Sequence, residues 1–457
     1  MWLGDRFWAL VALVGLSSSL FGDVGYRGIA ISDEDWGLRP WAFKHFGDRE
    51  QIGVRAYREI FALMKAYGVN AIWPAMRPGG YEFVSRPANL RLAFEESIAV
   101  GSSPSEPMMR NPNYLASKEM LDFDVHPDFL KKYWDAAVTR YGSRDVLWTI
   151  GMGAAGDVRR MGGTDAEKIQ KQGRIIAAQM GLLEKSWVDR KNLRPVYTLN
   201  GETLPLYDAG LRGVLPRETT VLWPDDGYGY VRRLKSPPDG LRAGVSWHAS
   251  GAGLPRSYLH VATTPPAFMW WELVARAWNN GAGDAWMVDV GDVFQAEPQV
   301  AALGFFGRDP NGYGVGAQTR VLRALVENTV GYTEAPDRFT VHLAKAYTLG
   351  FIRRPEFMSV DWIRRLPPEV KRDLVARWTE LLVEEDELEA VLTPAQRDRY
   401  YRLFGYTVRY LAQMGLFFAK WEKYTPADEK IARADARLAI DRFSFFFFSI
   451  FSSFYYF

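Results

Sequence analysis

The 457-residue chain contains no cysteine. Disulfides, thiol nucleophiles and cysteine-held metals are therefore excluded, although the compartment is not, because secreted chains can also lack cysteine. Histidine is scarce. His45, His126, His248, His260 and His342 show neither HxH nor HExxH spacing, which argues against a histidine-built zinc site. No GxSxG elbow supports serine chemistry, and there is no glycine-rich phosphate loop or nucleic-acid motif. An excess of one charge is missing too: 56 basic and 54 acidic side chains leave a net +2, so no nucleic-acid partner is expected. Nor is a membrane partner expected, since residues 7–16 form an apolar stretch too short to cross a bilayer. Lying behind Arg6 and followed by three serines, that stretch has the form of a signal-peptide core without a clear cleavage site, and the expected location is secreted or periplasmic. The tail 443–457, made only of Phe, Ser, Ile and Tyr, is assigned no function.

Aromatic residues are abundant at 14%, with 17 Trp. Two uses compete at this stage, a large core and stacking platforms for sugar rings. Short β-rich runs at 28–32, 70–73, 97–101, 146–151, 196–199, 220–223, 244–247 and 285–288 alternate with helix-length segments. In one of these segments Phe129, Leu130, Tyr133, Trp134, Ala137, Val138 and Tyr141 recur at helical spacing; others span 55–67, 167–187 and 268–280. Eight such units predict a TIM barrel, an α/β fold, in preference to an open sheet. A polar or functional cluster follows each strand: Asp33-Glu34-Asp35-Trp36, Pro74 to Arg77, Ser105 to Met108, Gly153 to Asp157, Asn200-Gly201-Glu202, Asp225-Asp226, His248, and Asp289 to Asp292. That end of a barrel is where active sites assemble. Beyond the barrel, segments 320–330, 338–349, 368–384, 394–417 and 427–443 read as amphipathic helices punctuated by Pro336, Pro355, Pro367 and Pro394. The expected organisation is an N-terminal segment (1–24), a barrel (25–310) and an α-helical bundle (311–457), the bundle being structural, a cap on the mouth or a homodimer interface.

A rim rich in carboxylates and poor in histidine suits acid/base work on a glycosidic bond. Any single acid is more often a cap or turn residue, and Asp33 and Asp226 are expected to face away from the pocket. A carboxylate-held Mg²⁺ at Asp225-Asp226 is the one metal the pattern allows; no metal or cofactor is assigned.

Segments 27–41, 73–76, 106–111 and 222–234, with Val290-Gly291-Asp292, closely resemble glycoside hydrolase family 115. Members are xylan α-1,2-glucuronidases that remove glucuronic or 4-O-methylglucuronic acid side groups with inversion. The resemblance implies a TIM barrel followed by a helical bundle, with the family's usual N-terminal α/β domain expected to be absent, and xylan or a xylo-oligosaccharide as the partner. It implies Asp157 and Glu202 as the catalytic carboxylates, without saying which is acid and which is base. It further implies Asp35, Trp36, Glu106, Asp225, Tyr228, His248 and Asp289 as substrate-binding residues. The chain departs from the family at three places. Ser103-Pro104-Ser105-Glu106-Pro107 replaces Ser-His-His-Glu-Pro, Gly151-Met152-Gly153-Ala154 replaces Gly-Met-Arg-Gly, and Asp289-Val290-Gly291-Asp292 replaces Asn-Val-Gly-Asp, with Phe294 in place of a lysine. Losing cations while gaining an acid should weaken binding of a uronate. Two further expectations stand beside the glucuronidase: an impaired relative that only binds glycan, and a glycosidase for a non-uronic sugar.

Overall fold

The computed structural model describes residues 22–31, 37–47, 52–76, 83–109, 118–142, 144–153, 157–186, 193–234, 240–249, 264–291, 293–312, 314, 316–331 and 336–422. Asp33, Asp35, Trp36 and Asp292, the stretch 7–16, the predicted helix 427–443 and the aromatic tail lie outside them.

Eight strands are present: β1 (Tyr26–Ile31), β2 (Ala71–Trp73), β3 (Ala99–Gly101), β4 (Val146–Thr149), β5 (Arg194–Thr198), β6 (Thr220–Pro224), β7 (Arg242–His248) and β8 (Ala285–Gly291). Each pairs in parallel with its sequence neighbours, and β8 closes onto β1. The TIM barrel is thus present in the order expected. Strand ends differ from the sequence reading by a few residues for local reasons. β4 stops before Gly151, whose φ of +81° leaves the extended region and whose N–H donates to Gln179 Oε1 at 2.6 Å.

Alternation along the strands separates two sets of side chains. Ala30, Ala71, Trp73, Ala99, Leu147, Val196, Leu222, Ala285 and Met287 form one cluster inside the barrel. The interior is tight: a Cβ on Gly244 would lie 2.1 Å from the backbone oxygen of Ala285. Trp148, Trp223, Trp247 and Trp286 belong to the other cluster, between barrel and helices, and are almost wholly buried. Three of them meet rings of the surrounding layer, Trp148 on Tyr141, Trp223 on Tyr207 and Trp247 on Phe268, with centroids 5.4–6.2 Å apart. Much of the tryptophan is therefore core.

The helical layer contains α1 (Arg39–Phe46), α2 (Val54–Tyr67), α3 (Pro87–Glu95), α4 (Pro127–Tyr141), α5 (Asp157–Arg160), α6 (Asp165–Ser186), α7 (Thr203–Ala209), α8 (Pro266–Met269) and α9 (Glu297–Arg308). α2 shows why such segments fold. Tyr57, Ile60, Phe61, Met64 and Tyr67 recur on its buried face, and Gly68 at φ +75° ends it. The single helix expected over 268–280 is instead α8 continued by a widened π turn (Trp270–Ala277) and a 3₁₀ turn (Trp278–Asn280).

After the barrel come α10 (Ala317–Val330), α11 (Pro336–Ile352), α12 (Val360–Arg365), α13 (Pro368–Ala390), α14 (Pro394–Tyr400) and α15 (Tyr406–Trp421). The helix expected over 394–417 divides at a π turn (Tyr401–Gly405), where Gly405 lies against the Glu385 carboxylate. Among the described residues no helix is long and apolar enough to cross a membrane.

His342 of α11 is buried between Glu384 and Glu385 of α13, its Nδ1 3.0 Å from Glu384 and its Nε2 2.7 Å from Glu385. Tyr400 donates to the same Glu385 at 3.0 Å, and Lys345 pairs with Glu384. Burial alone would lower the pKa of His342, but the two carboxylates outweigh it and raise it. A folded-state pKa above the unfolded value gives stability that is complete below about 6.5 and is lost as pH rises through the folded value. Denaturant midpoints of the wild type should therefore fall relative to those of H342Q between pH 6 and pH 9. A pH-independent difference between the two would show that the pair of acids does not hold a proton on His342.

Candidate active site at the mouth of the barrel

His248 ends β7, two and four residues after Ser246 and Gly244, and so shares their inward face. Asp289 follows Ala285 and Met287 on β8 by the same spacing and pairs in register with His248. Asp225 comes from the turn after β6, with a side chain that is 0% exposed. Its Oδ2 accepts the His248 N–H at 2.6 Å and lies 3.1 Å from Nδ1, while Oδ1 accepts the Gly227 N–H at 2.7 Å. Three strand ends thus bring Asp225, His248 and Asp289 into one cluster.

The charges follow from a contest between desolvation and pairing. Burial alone would lower the pKa of His248. The Asp225 carboxylate and, less strongly, Asp289 push it instead to about 9, with Arg354 opposing. Burial would likewise raise Asp225, but the imidazole and the hydrogen bonds it accepts hold it below the usual carboxylate range. At neutral pH the pair is an imidazolium on a carboxylate.

Asp157 and Glu202 lie behind the adjacent strands β4 and β5. Asp157 opens α5, is 4% exposed and pairs with Arg160. It lines a cavity of about 300 Å³ together with Met152, Arg160 and Lys171. The Glu202 side chain is 27% exposed. It accepts the Arg159 backbone N–H at 3.3 Å and faces the Arg159 guanidinium at 3.4 Å. Two successive arginines of one short helix thus hold the two carboxylates. Asn200 joins the same strand ends: its Nδ2 donates to the Gly153 oxygen at 2.6 Å, and its Oδ1 accepts the N–H groups of Glu202 and Thr203.

Glu106, behind β3, is buried and accepts from Ser103 Oγ. Its backbone oxygen accepts from Ser102 Oγ at 2.6 Å, and Thr149 of β4 donates to the Ser102 oxygen. Met108 and Met109 follow at φ +57° and +54°. Left-handed backbone at two bulky residues costs of order 1–3 kcal/mol each. Burial of both side chains is worth about the same and offsets it. Asp226 faces away from the cluster, as expected: its Oδ1 caps the N–H groups of Tyr228 and Tyr230, and its Oδ2 pairs with Arg232. Tyr228 stands on the outer rim, half-exposed, with its ring stacked on Phe357 at 4.5 Å. Phe294 packs on Trp41 of α1, 4.3 Å between centroids. Among the described residues no three His, Asp or Glu side chains are grouped to hold a metal ion.

Four residues near these strand ends escaped the sequence reading: Arg159, Arg160, Glu272 and Arg354. Glu272 is wholly buried, accepts the Val231 N–H at 2.8 Å and pairs with Arg276 at 3.0 Å. An acid inside the apolar run Trp270-Trp271-Glu272-Leu273-Val274, with a cation four residues on, was the available signal. No sequence signal singled out Arg354.

The profile of glycosyl hydrolase family 115 matches residues 22–357, nearly three quarters of the chain. The chain belongs to that family. Among solved structures, a family 115 4-O-methyl-α-glucuronidase with specificity for decorated arabinogalactans is 25% identical. Its TM-score is 0.80, and the match covers 93% of this chain and 59% of that one. The chain therefore spans well under two thirds of that relative's length. A family 138 enzyme targeting pectin rhamnogalacturonan II, 10% identical with a TM-score of 0.56, covers 91% of this chain and 60% of its own and shares the fold. No curated protein matches.

Replacing Asp225 by Asn removes the charge that holds the proton on His248. In D225N the His248 NMR titration midpoint should drop from about 9 to about 6.5 or below. A midpoint that stays near 9 would show that Asp225 does not set the state of this histidine.

Proposed function

We propose that the protein is an exo-acting glycoside hydrolase that removes glucuronic or 4-O-methylglucuronic acid side groups from a plant polysaccharide, with inversion. Family membership supports the reaction class. The single observation that carries the reading is the presence of Asp157 and Glu202 at successive strand ends, each held by an arginine of α5. In an inverting mechanism one carboxyl protonates the leaving oxygen while the other activates water on the opposite face of the ring. Asp225, His248, Asp289 and Glu106 then bind hydroxyls, and Tyr228 borders the sugar. Xylan is the first polymer to test. The arabinogalactan specificity in the name of the 25%-identical relative makes decorated arabinogalactan the second. Such polymers suit a secreted or periplasmic enzyme.

The missing cation at position 153 favours a second reading, a relative that binds glycan without turning it over. The site has room for a side chain there: a Cβ on Gly153 would meet Pro104 at 3.6 Å, an ordinary contact. Purified protein incubated with glucuronoxylan, decorated arabinogalactan and neutral xylo-oligosaccharides should release uronic acid from at least one polymer. D157N and E202Q should each reduce that release by about 10²- to 10⁴-fold. Glycan binding with no product from any substrate would favour the second reading, and neutral sugar alone would point to a non-uronic glycosidase. If the lost cation limits turnover, G153R should fold normally and raise uronate release; an unchanged rate would remove that explanation.

A further inference from the structure

We infer that Arg354 and Phe357, which follow the barrel in the helical region, are positioning residues of the glycan site: they clamp the turn at residues 225–230, whose first residue holds His248. The inference rests on the glycan-hydrolase reading for its purpose but not for its geometry.

α11 ends at Ile352, and Arg354 precedes Pro355. A residue before proline is pushed out of the helical region, and Arg354 is extended at φ −65° and ψ 144°. The chain therefore leaves the helix axis at this residue and turns toward the barrel. Arg353 locks the turn that follows: its Nε donates to the Phe357 oxygen at 2.7 Å, and its guanidinium covers the rings of Phe357 and Trp362. Phe357, buried, then stacks on Tyr228 with planes 24° apart.

Arg354 is 7% exposed and lies beneath Gly229. A Cβ on Gly229 would come within 2.8 Å of Arg354 Nη2 and 2.9 Å of the Phe268 ring. Glycine is required there twice over, by that approach and by a φ of +88°. The Gly229 oxygen accepts from Trp247 Nε1 at 2.6 Å, and Trp247 is the residue before His248. The turn is thus held from the barrel by Trp247, from within by the Asp226 cap, and from the helical region by Arg354 and Phe357. Its first residue, Asp225, carries His248. The match to the family ends at residue 357 and so includes both clamp residues.

Charge runs along the same path. Asp225 and Asp289 face His248 from the turn after β6 and from β8 and favour its proton, whereas Arg354 opposes it from the helical region. Nη1 and Nη2 of Arg354 are shielded from solvent, so Arg354 acts on bound glycan through the turn and through His248 rather than by touching it.

The test is the His248 titration in the full chain without substrate, its resonance assigned by comparison with H248Q. R354M should raise the midpoint by about half a pH unit or more, since a nearby cation has been removed. R354K should stay near the wild type, and G229A, which displaces the guanidinium, should move in the direction of R354M. If R354M lacks the far-UV spectrum of a folded protein, R354Q takes its place with the same expected shift. An unmoved midpoint in the neutral variant, or R354K titrating like R354M, would overturn the inference. Because no glycan is present, this result is independent of the polysaccharide assay. Failure of that assay with a shifted midpoint would remove the glucuronidase reading and leave the clamp standing.

Discussion

The rest of the structure depends on one constraint: side chains of a closed parallel barrel alternate strictly between an interior with little room and an exterior that must meet helices. Trp73 and Met287 fill the interior, and a Cβ at Gly244 would collide with backbone. Most of the remaining bulk is therefore sent outward, where Trp148, Trp223, Trp247 and Trp286 face the helical layer. The same alternation turns His248 and Asp289 inward at the top of the barrel, where polar groups can meet. Core and site are two consequences of one periodicity, and the tryptophan-rich composition follows from the first.

Electrostatics at the mouth is decided by contact rather than by burial. Desolvation opposes charge on both Asp225 and His248, yet the ion pair and its hydrogen bonds win. A buried pair of this kind is weak evidence for added stability. What it does fix is geometry, because Asp225 can accept both His248 hydrogen bonds only if β6 and β7 keep their register. The same logic applies at β4 and β5, where α5 presents Arg159 to one carboxylate and Arg160 to the other.

Most of the barrel was legible in the sequence, because eight short apolar runs separated by helical periodicity admit few other closures. Element ends were less legible, since they are set by tertiary contacts such as the Gly151 N–H donating to Gln179. The inward direction of His248 and Asp289 follows from strand parity once the register is known. By contrast, Arg159 and Arg160 read as an ordinary basic pair on a helix, and Arg354 lies 106 residues from His248 in a region whose helical pattern carries no trace of the barrel mouth. Long-range approach leaves no local pattern. The division of 394–417 was missed for a related reason, because the contact of Gly405 with Glu385 belongs to another helix.

The clamp on residues 225–230 also bears on the order in which the molecule is built. A chain emerging from the ribosome can pair β1 through β8 once residue 291 is out, but Arg354 and Phe357 follow more than sixty residues later. On a growing chain the mouth of the barrel is therefore completed only after all eight strands have been made, so the scaffold is synthesised before the residues that finish the site.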